Sequence, residues 1–317
     1  MLTVTGLKVH YPVKGGVFLR SVAVCKAVDG ISFTLKRGET LGIIGESGCG
    51  KTTLGKAIAG LAPITAGQIT FHGLAAHPSP RDLAKVRQMI FQDPAESLNQ
   101  RQPVSSIIEE PFLIHQIDTP AGRRQRAAKL LEKVGLPAGS GDRYPFEFSG
   151  GQRQRIGIAR AIALQPGLII CDEPVSALDV SVQSQVLNLL MDLQRDMGLS
   201  YLFISHNLAV VKHVSNRIAI MYLGKIVELA PSEEIYRNPQ HAYTKTLLAA
   251  IPVPDPTAPR PHVSVSGDVP SPINPPPGCA FGARMKHPRY PESLTMDLAL
   301  QEIAPGHWIQ KCPCCTA

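Results

Sequence analysis

A chain of 317 residues can bury one large core and still carry a smaller appendage. Its 44% hydrophobic and 18% charged residues are an ordinary soluble balance. No apolar run approaches the roughly 18 to 20 residues of a membrane span, and the N-terminus lacks the charged-then-apolar plan of a signal peptide, so a cytosolic location is expected. The net charge of +7 would suit nucleic acid, an anionic membrane surface or an acidic protein, but 5% aromatic residues provide no stacking platform for single-stranded nucleic acid.

Strand-like alternation through Val4, Leu7 and Val9, and again over residues 31–35, is interrupted by Pro12-Val13-Lys14-Gly15-Gly16. The apolar run Leu41 to Ile44 then predicts a strand, and Thr53 begins a helical pattern. Between them lies Gly45-Glu46-Ser47-Gly48-Cys49-Gly50-Lys51-Thr52, which satisfies G-x-x-x-x-G-K-[ST] in the strand, loop and helix context the motif requires. Such a loop turns successive N–H groups inward on phosphates, with the helix N-terminus adding a favourable dipole. Lys51 would reach the β- and γ-phosphates and Thr52 would ligate Mg²⁺. The bland alternative is a glycine turn that happens to precede a helix.

From about Gln92 to Phe148 the pattern is helical, with Ala127, Leu130, Leu131 and Val134 on one stripe and Gly135-Leu136-Pro137 ending it. Arg123-Arg124-Gln125-Arg126 reads as the solvated face of that helix. Ser149 is a good N-cap for a second helix through Ile156, Ala159, Ile162 and Ala163, and Gly150 and Gly151 would let a phosphate approach its backbone. The run Leu168 to Cys171 predicts a strand buried on both faces and ends in Asp172-Glu173. Paired carboxylates at such a strand end suit a Mg²⁺-side ligand, Asp172, and a water-polarising base, Glu173; a solvated acidic turn is the alternative. Val186, Leu189, Leu190 and Leu193 predict an amphipathic helix, and residues 201–205 a strand followed by His206.

Past Pro252 the composition shifts. Pro252, Pro254, Pro256, Pro259, Pro261 and Pro270 lead to Pro275-Pro276-Pro277-Gly278-Cys279, too dense in proline for a helix or central strand, so an extended connector is expected. Seven cysteines, an odd number, argue against a disulfide framework. Only the last four, Cys279, Cys312, Cys314 and Cys315, are candidates for a thiolate site.

Ser149-Gly150-Gly151-Gln152 resembles the signature of ABC-type ATPases. Gln92, after Met89-Ile90-Phe91, is similar to their Q-loop; Ser176-Ala177-Leu178-Asp179 to the D-loop; and His206 to the switch histidine. The resemblance covers about the first 250 residues. It implies an α/β P-loop NTPase (RecA-like) core with an antiparallel β subdomain and an inserted helical subdomain at about 93–150, the whole spanning 1–252, followed by an extension over 253–317. It also implies that Gly45, Ser47, Gly48, Cys49, Gly50, Lys51, Thr52 and Thr53 cradle ATP, and that Thr52, Gln92 and Asp172 hold Mg²⁺. Tyr11 would stack on adenine, though an ordinary strand-end tyrosine fits equally well. Glu173 and His206 would act on the attacking water and γ-phosphate, while Ser149, Gly150, Gly151, Gln152 and Asp179 would serve the nucleotide shared with a head-to-tail partner.

Three C-terminal stretches, residues 241–248, 267–272 and 275–281, resemble the extension of oligopeptide/dipeptide permease ATP-binding subunits. Residues 22–33 and 173–182 resemble the same subgroup, and look more like its F-type than its D-type member. The implied function is to power peptide import at the cytoplasmic face of the cell (inner) membrane. The implied partners are a D-type ATP-binding subunit, two transmembrane permease subunits and, indirectly, a peptide-binding protein, with no nucleic acid. Nickel, glutathione or another small solute is the alternative cargo, and a soluble nucleic-acid ATPase the alternative class. Some relatives hold an iron–sulfur cluster through four thiolates, but here Met285 and Glu292 stand where two cysteines are expected. Cys314 and Cys315 would replace them only if the tail folds back, so the spacing favours reduced, non-ligating thiols, with a cluster or Zn²⁺ as the alternative.

Overall fold

The structure, a computed structural model, describes residues 1–15, 20–74, 78–251 and 267–316. Its strands in chain order are β1 (Leu2–Gly15), β2 (Arg20–Leu35), β3 (Thr40–Ile44), β4 (Ala66–Phe71), β5 (Arg87–Ile90) and β6 (Leu168–Asp172). They continue with β7 (Ser200–Ile204), β8 (Arg217–Tyr222), β9 (Lys225–Pro231), β10 (Leu300–Ala304) and β11 (His307–Gln310). The first helices are α1 (Lys51–Ala59), α2 (Pro80–Val86), α3 (Pro94–Ser97), α4 (Val104–Ile114), α5 (Pro120–Lys133) and α6 (Gly150–Ile162). After them come α7 (Val180–Met197), α8 (Leu208–Val214), α9 (Ser232–Arg237), α10 (Ala242–Ala249) and α11 (Ala280–Arg284).

Two compact units divide these elements. One comprises Met1 and residues 35–39 and 71–203, the other residues 2–34, 40–70 and 204–317.

In the first unit the strand order is β7-β6-β5, with β5 parallel to β6 and Met89 opposite Ile170. Both β6 and β7 are buried along their whole length, as strands covered on two faces must be. Helix α6 contributes Ile156, Ala159 and Ile162 to this core as the spacing predicts. In α7 the buried set is Val186, Leu187, Leu190 and Leu193, and Leu189 is only half-buried. Leu187 and Val186 lie three and four residues before Leu190 and share its face, whereas Leu189 is a third of a turn away. Leu130 of α5 is likewise half-buried beside the fully buried Ala127 and Leu131. The arginines at 124 and 126 are exposed, and Arg126 Nε pairs with Asp118 at 2.9 Å.

The second unit holds a three-stranded sheet, β2-β1-β4, and the strand order β10-β11-β9-β8-β3. Strand β1 does not stop at Pro12 but runs on to Gly15. Gly15 lies against Val22 of β2, so the strand pair carries through the expected break, where a proline is tolerated if no ladder N–H is required. Strand β3 is wholly buried and parallel to β8, Ile43 opposite Ala219. Strands β8 and β9 form a hairpin whose two turn residues, Leu223 (φ 42°) and Gly224 (φ 79°), both have the positive φ of a type I′ turn.

Most of the predicted proline connector, including Pro252, Pro254, Pro256, Pro259 and Pro261, lies outside the described residues, as does Gly16. Its end runs along β2: Lys26 N–H donates to the Pro272 carbonyl at 2.9 Å and Asn274 N–H to the Val24 carbonyl at 3.1 Å. Beyond it the tail forms the β10–β11 hairpin, and β11 pairs antiparallel with β9, Ile309 opposite Glu228. Glu228 is fully buried, and its carboxylate is shared between His307 Nε2 (2.8 Å) and the backbone N–H groups of Gln240 (2.8 Å) and His241 (3.0 Å). A buried carboxylate satisfied in this way ties the tail to the core, whereas an unpaired one would be strongly destabilising. Burial pushes the His241 imidazole down to about 4, so it is neutral at physiological pH.

Candidate functional site: a phosphate loop and a carboxylate strand

In the second unit β3 runs directly into the glycine loop. A Cβ at Gly45 would stand 2.1 Å from the Met221 carbonyl oxygen, and at Gly50, where φ is 102°, 1.9 Å from the Ala27 carbonyl oxygen. Only glycine lets the loop lie this close to β2 and β8. The rim at Ser47 and Gly48 faces solvent, with open space around Gly48. Gly50 also begins α1, so the loop wraps the helix N-terminus, with Thr52 and Thr53 in the first turn. Lys51 is 5% exposed, and its Nζ donates to the carbonyls of Gly45 (2.8 Å) and Glu46 (2.9 Å) and lies 3.8 Å from Cys49 Sγ. A buried ammonium held by carbonyl dipoles, beneath an open glycine rim and a helix dipole, suits an anion. Burial raises the Cys49 thiol, which therefore stays protonated.

Downstream in this unit, Ser205 N–H donates to the Ile43 carbonyl at 3.2 Å, which sets the adjacent His206 beside the strand that feeds the loop. His206 is exposed and precedes α8, whose N-cap is Asn207. Tyr11, on β1, is 37% exposed.

In the first unit β6 ends at the buried Asp172. Glu173 follows with φ 48°, the left-handed region that costs a non-glycine residue about 1–3 kcal/mol and recurs at functional sites. Gln92, just past the neighbouring β5, donates from Nε2 to Glu173 Oε2 at 3.3 Å. A residue that is uninformative alone is thus brought to the carboxylate by parallel pairing of two strands.

The Ser149 run folds as its spacing predicts. Ser149 Oγ accepts from Gln152 N–H (3.3 Å) while Gln152 Oε1 accepts from Ser149 N–H (3.0 Å), a capping box at the start of α6. Gly151 lies so close to α7 that a Cβ would meet Val182 Cγ1 at 2.4 Å. Asp179 caps α7, accepting from Val182 N–H (3.0 Å) and Ser181 Oγ (2.7 Å), and the Ser181 hydroxyl holds its carboxyl below the usual range.

The tail does fold back. A turn over residues 312–315, closed by Cys315 N–H to the Cys312 carbonyl at 3.1 Å, brings Cys279 Sγ and Cys315 Sγ to 3.4 Å. The sulfurs of Cys279, Cys312 and Cys314 all lie within 4.8 Å of one another. All seven cysteines are unbridged. Hydrogen bonds from Cys279 and Cys315 pull the Cys312 thiol down, while its neighbours are pushed up. Spacing argued against this convergence because it takes no account of the turn.

The strand, glycine loop and helix with its buried lysine define a P-loop nucleotide-binding protein. Residues 28–176 match the ABC transporter family, and residues 227–288 the C-terminal region of oligopeptide/dipeptide transporters. The chain is 48% identical over 318 residues to the oligopeptide transport ATP-binding protein AppF of Bacillus subtilis (strain 168), covering 98% of this chain and 96% of that protein. It is 50% identical over 290 residues to the dipeptide transport ATP-binding protein DppF of Escherichia coli (strain K12), covering 90% and 86%. The solved dimeric post-hydrolysis state of the ATP-binding cassette MJ0796, bound to ADP and Pi, has a TM-score of 0.63 at 25% identity, covering 73% of this chain and 99% of that one. The chain belongs to the ABC transporter ATP-binding proteins of the oligopeptide/dipeptide group.

It is therefore an ABC-type ATPase. Among the described residues no helix is long and apolar enough to cross a membrane.

Proposed function

We propose that this chain powers the import of di- or oligopeptides through a membrane ABC transporter, as a peripheral subunit on the cytoplasmic face. The observation that carries the peptide assignment is the match of residues 227–288 to the C-terminal region of oligopeptide/dipeptide transporters. Membrane partners suit Leu113, Ile114 and Phe146 of the first unit, apolar side chains that are 60%, 53% and 63% exposed. Those partners are two permease subunits, with a D-type ATP-binding subunit completing the pair.

Within that reading Lys51 neutralises the β- and γ-phosphates, the loop amides orient them, and Tyr11 packs on the base. Thr52, Gln92 and Asp172 are assigned to Mg²⁺, and this hydroxyl, amide and carboxylate set offers the oxygen donors a hard cation takes. When bound, Mg²⁺ would neutralise charge on the phosphate oxygens. Glu173 takes a proton from the attacking water while Gln92 holds its carboxylate, and His206 meets the γ-phosphate. Ser149, Gly150, Gly151 and Gln152, with Asp179, serve the nucleotide of the facing subunit. The 78% exposure of Val180 beside Asp179 suits burial against such a partner. In cells lacking this chain, uptake of labelled di- and oligopeptides is expected to be lost and restored by the wild-type gene but not by Lys51→Ala. Loss of nickel or glutathione uptake, with peptide uptake intact, overturns the assignment.

The convergence of sulfurs favours a second reading of the tail, a thiolate-held iron–sulfur cluster or Zn²⁺. Cys279, Cys312, Cys314 and Cys315 would hold it, and its bonds would cross-link the two ends of the extension. Metal analysis and the absorption spectrum of anaerobically purified protein are expected to find bound metal that Cys279→Ser removes. Metal-free protein in which all four of these tail cysteines titrate as thiols overturns this reading.

A further inference from the structure

Glu46, the first variable residue of the phosphate loop, is gripped by two side chains from the C-terminal third of the chain. Its backbone N–H donates to the Tyr243 hydroxyl at 3.0 Å. Its carboxylate receives Arg284 Nη1 at 2.9 Å to one oxygen and 3.2 Å to the other. Neither grip is a surface accident: Tyr243 is 1% exposed and the Arg284 side chain 9%. The guanidinium is aimed as well, since its Nε donates to the Gly267 carbonyl at 3.1 Å.

The elements carrying these groups are themselves anchored. Arg284 ends α11, whose N-cap is Cys279, with Gly282 N–H reaching its sulfur at 3.2 Å. Phe281 of the same helix lies 5.4 Å from the Tyr243 ring and edge-on to Tyr222 at 5.6 Å. Tyr222 closes β8, where Met221 offers the carbonyl against which Gly45 packs.

Electrostatics indicate what the grip does. Glu46 puts a negative charge into a loop whose occupant is itself strongly anionic, and a partly buried charge of that sign repels it. A charge-assisted pair with Arg284 offsets that repulsion, while the Tyr243 hydroxyl engages the Glu46 amide. We infer that Arg284 and Tyr243 are positioning residues for the nucleotide, through which the C-terminal extension sets the shape and charge of the phosphate loop. The inference rests on the nucleotide reading of that loop.

The test is equilibrium binding of MgATP to the full chain carrying Glu173→Gln, to prevent turnover, together with steady-state ATPase of the assembled transporter. Arg284→Ala is expected to weaken MgATP binding about tenfold and raise the Michaelis constant in proportion, with a much smaller change in turnover at saturating ATP. Arg284→Lys keeps the charge and should recover part of the loss. Glu46→Gln added to Arg284→Ala should restore affinity by removing the exposed repulsive charge, which a purely structural role for Arg284 would not allow. The defect of Arg284→Ala should also shrink as salt is raised. If Arg284→Ala binds MgATP normally while Lys51→Ala does not, the inference falls and the nucleotide reading stands. If Lys51→Ala also binds normally, that reading itself fails. Should Arg284→Ala unfold, a double variant with Glu46→Gln that is folded but no tighter than Arg284→Lys likewise overturns the inference.

Discussion

Glu173→Gln is expected to lower ATP turnover about 10²- to 10⁴-fold, the usual contribution of a positioned general base, and to leave MgATP binding within a few-fold of wild type. The substitution nearly preserves shape. Gln92 Nε2, now 3.3 Å from Glu173 Oε2, can donate equally to an amide oxygen, so the contact that orients the side chain survives and only its basicity is lost. The φ of 48° at this position also stays, because glutamine bears the same backbone strain as glutamate. Turnover and binding should therefore separate cleanly. Steady-state ATPase of the assembled transporter and filter binding of labelled ATP measure the two. Turnover within tenfold of wild type would remove Glu173 from the role of base.

Gly50→Ala is expected to destabilise the protein by about 2–5 kcal/mol and to abolish MgATP binding, combining left-handed backbone strain with overpacking. At φ 102° the backbone is already outside what alanine adopts readily, and the new methyl would sit 1.9 Å from the Ala27 carbonyl oxygen. A carbonyl within β2 cannot swing aside as a side chain would, so the loop must move, carrying the start of α1 and Lys51 with it. Gly48→Ala is the internal control. It also has positive φ, 78°, but no atom lies within 4 Å of the new Cβ, so only the backbone cost of about 1–2 kcal/mol is expected. Denaturant midpoints at unchanged slope give both stabilities. Equal midpoints for the two variants would show that close approach to β2 is not what requires glycine at 50.

These expectations differ in how far the sequence alone supports them. The phosphate loop and the N-cap at Ser149 are local: each depends on residues no more than seven apart, and chain spacing determines which groups can meet. The buried strands β3, β6 and β7 were legible for the same reason, since burial on both faces demands an unbroken apolar run. Pro12 misled because the rule against proline in strands concerns a required N–H, and whether one is required depends on the neighbouring strand. Leu189 misled because a stripe of leucines identifies a helix better than it identifies the helix face.

What the amino-acid sequence determined by itself is the chemistry: a glycine-framed lysine, a carboxylate pair at a strand end and a serine-capped helix start, each set by short-range sterics and hydrogen bonding. Only the tertiary structure decided which distant groups act on one another. Gln92 reaches Glu173 across 81 residues, and Tyr243 and Arg284 reach Glu46 across 197 and 238. The four tail cysteines converge through a turn that residue counting could not supply. In each case the contact energy is ordinary, but the closure is made by strand pairing and burial elsewhere in the chain, so no local pattern records it.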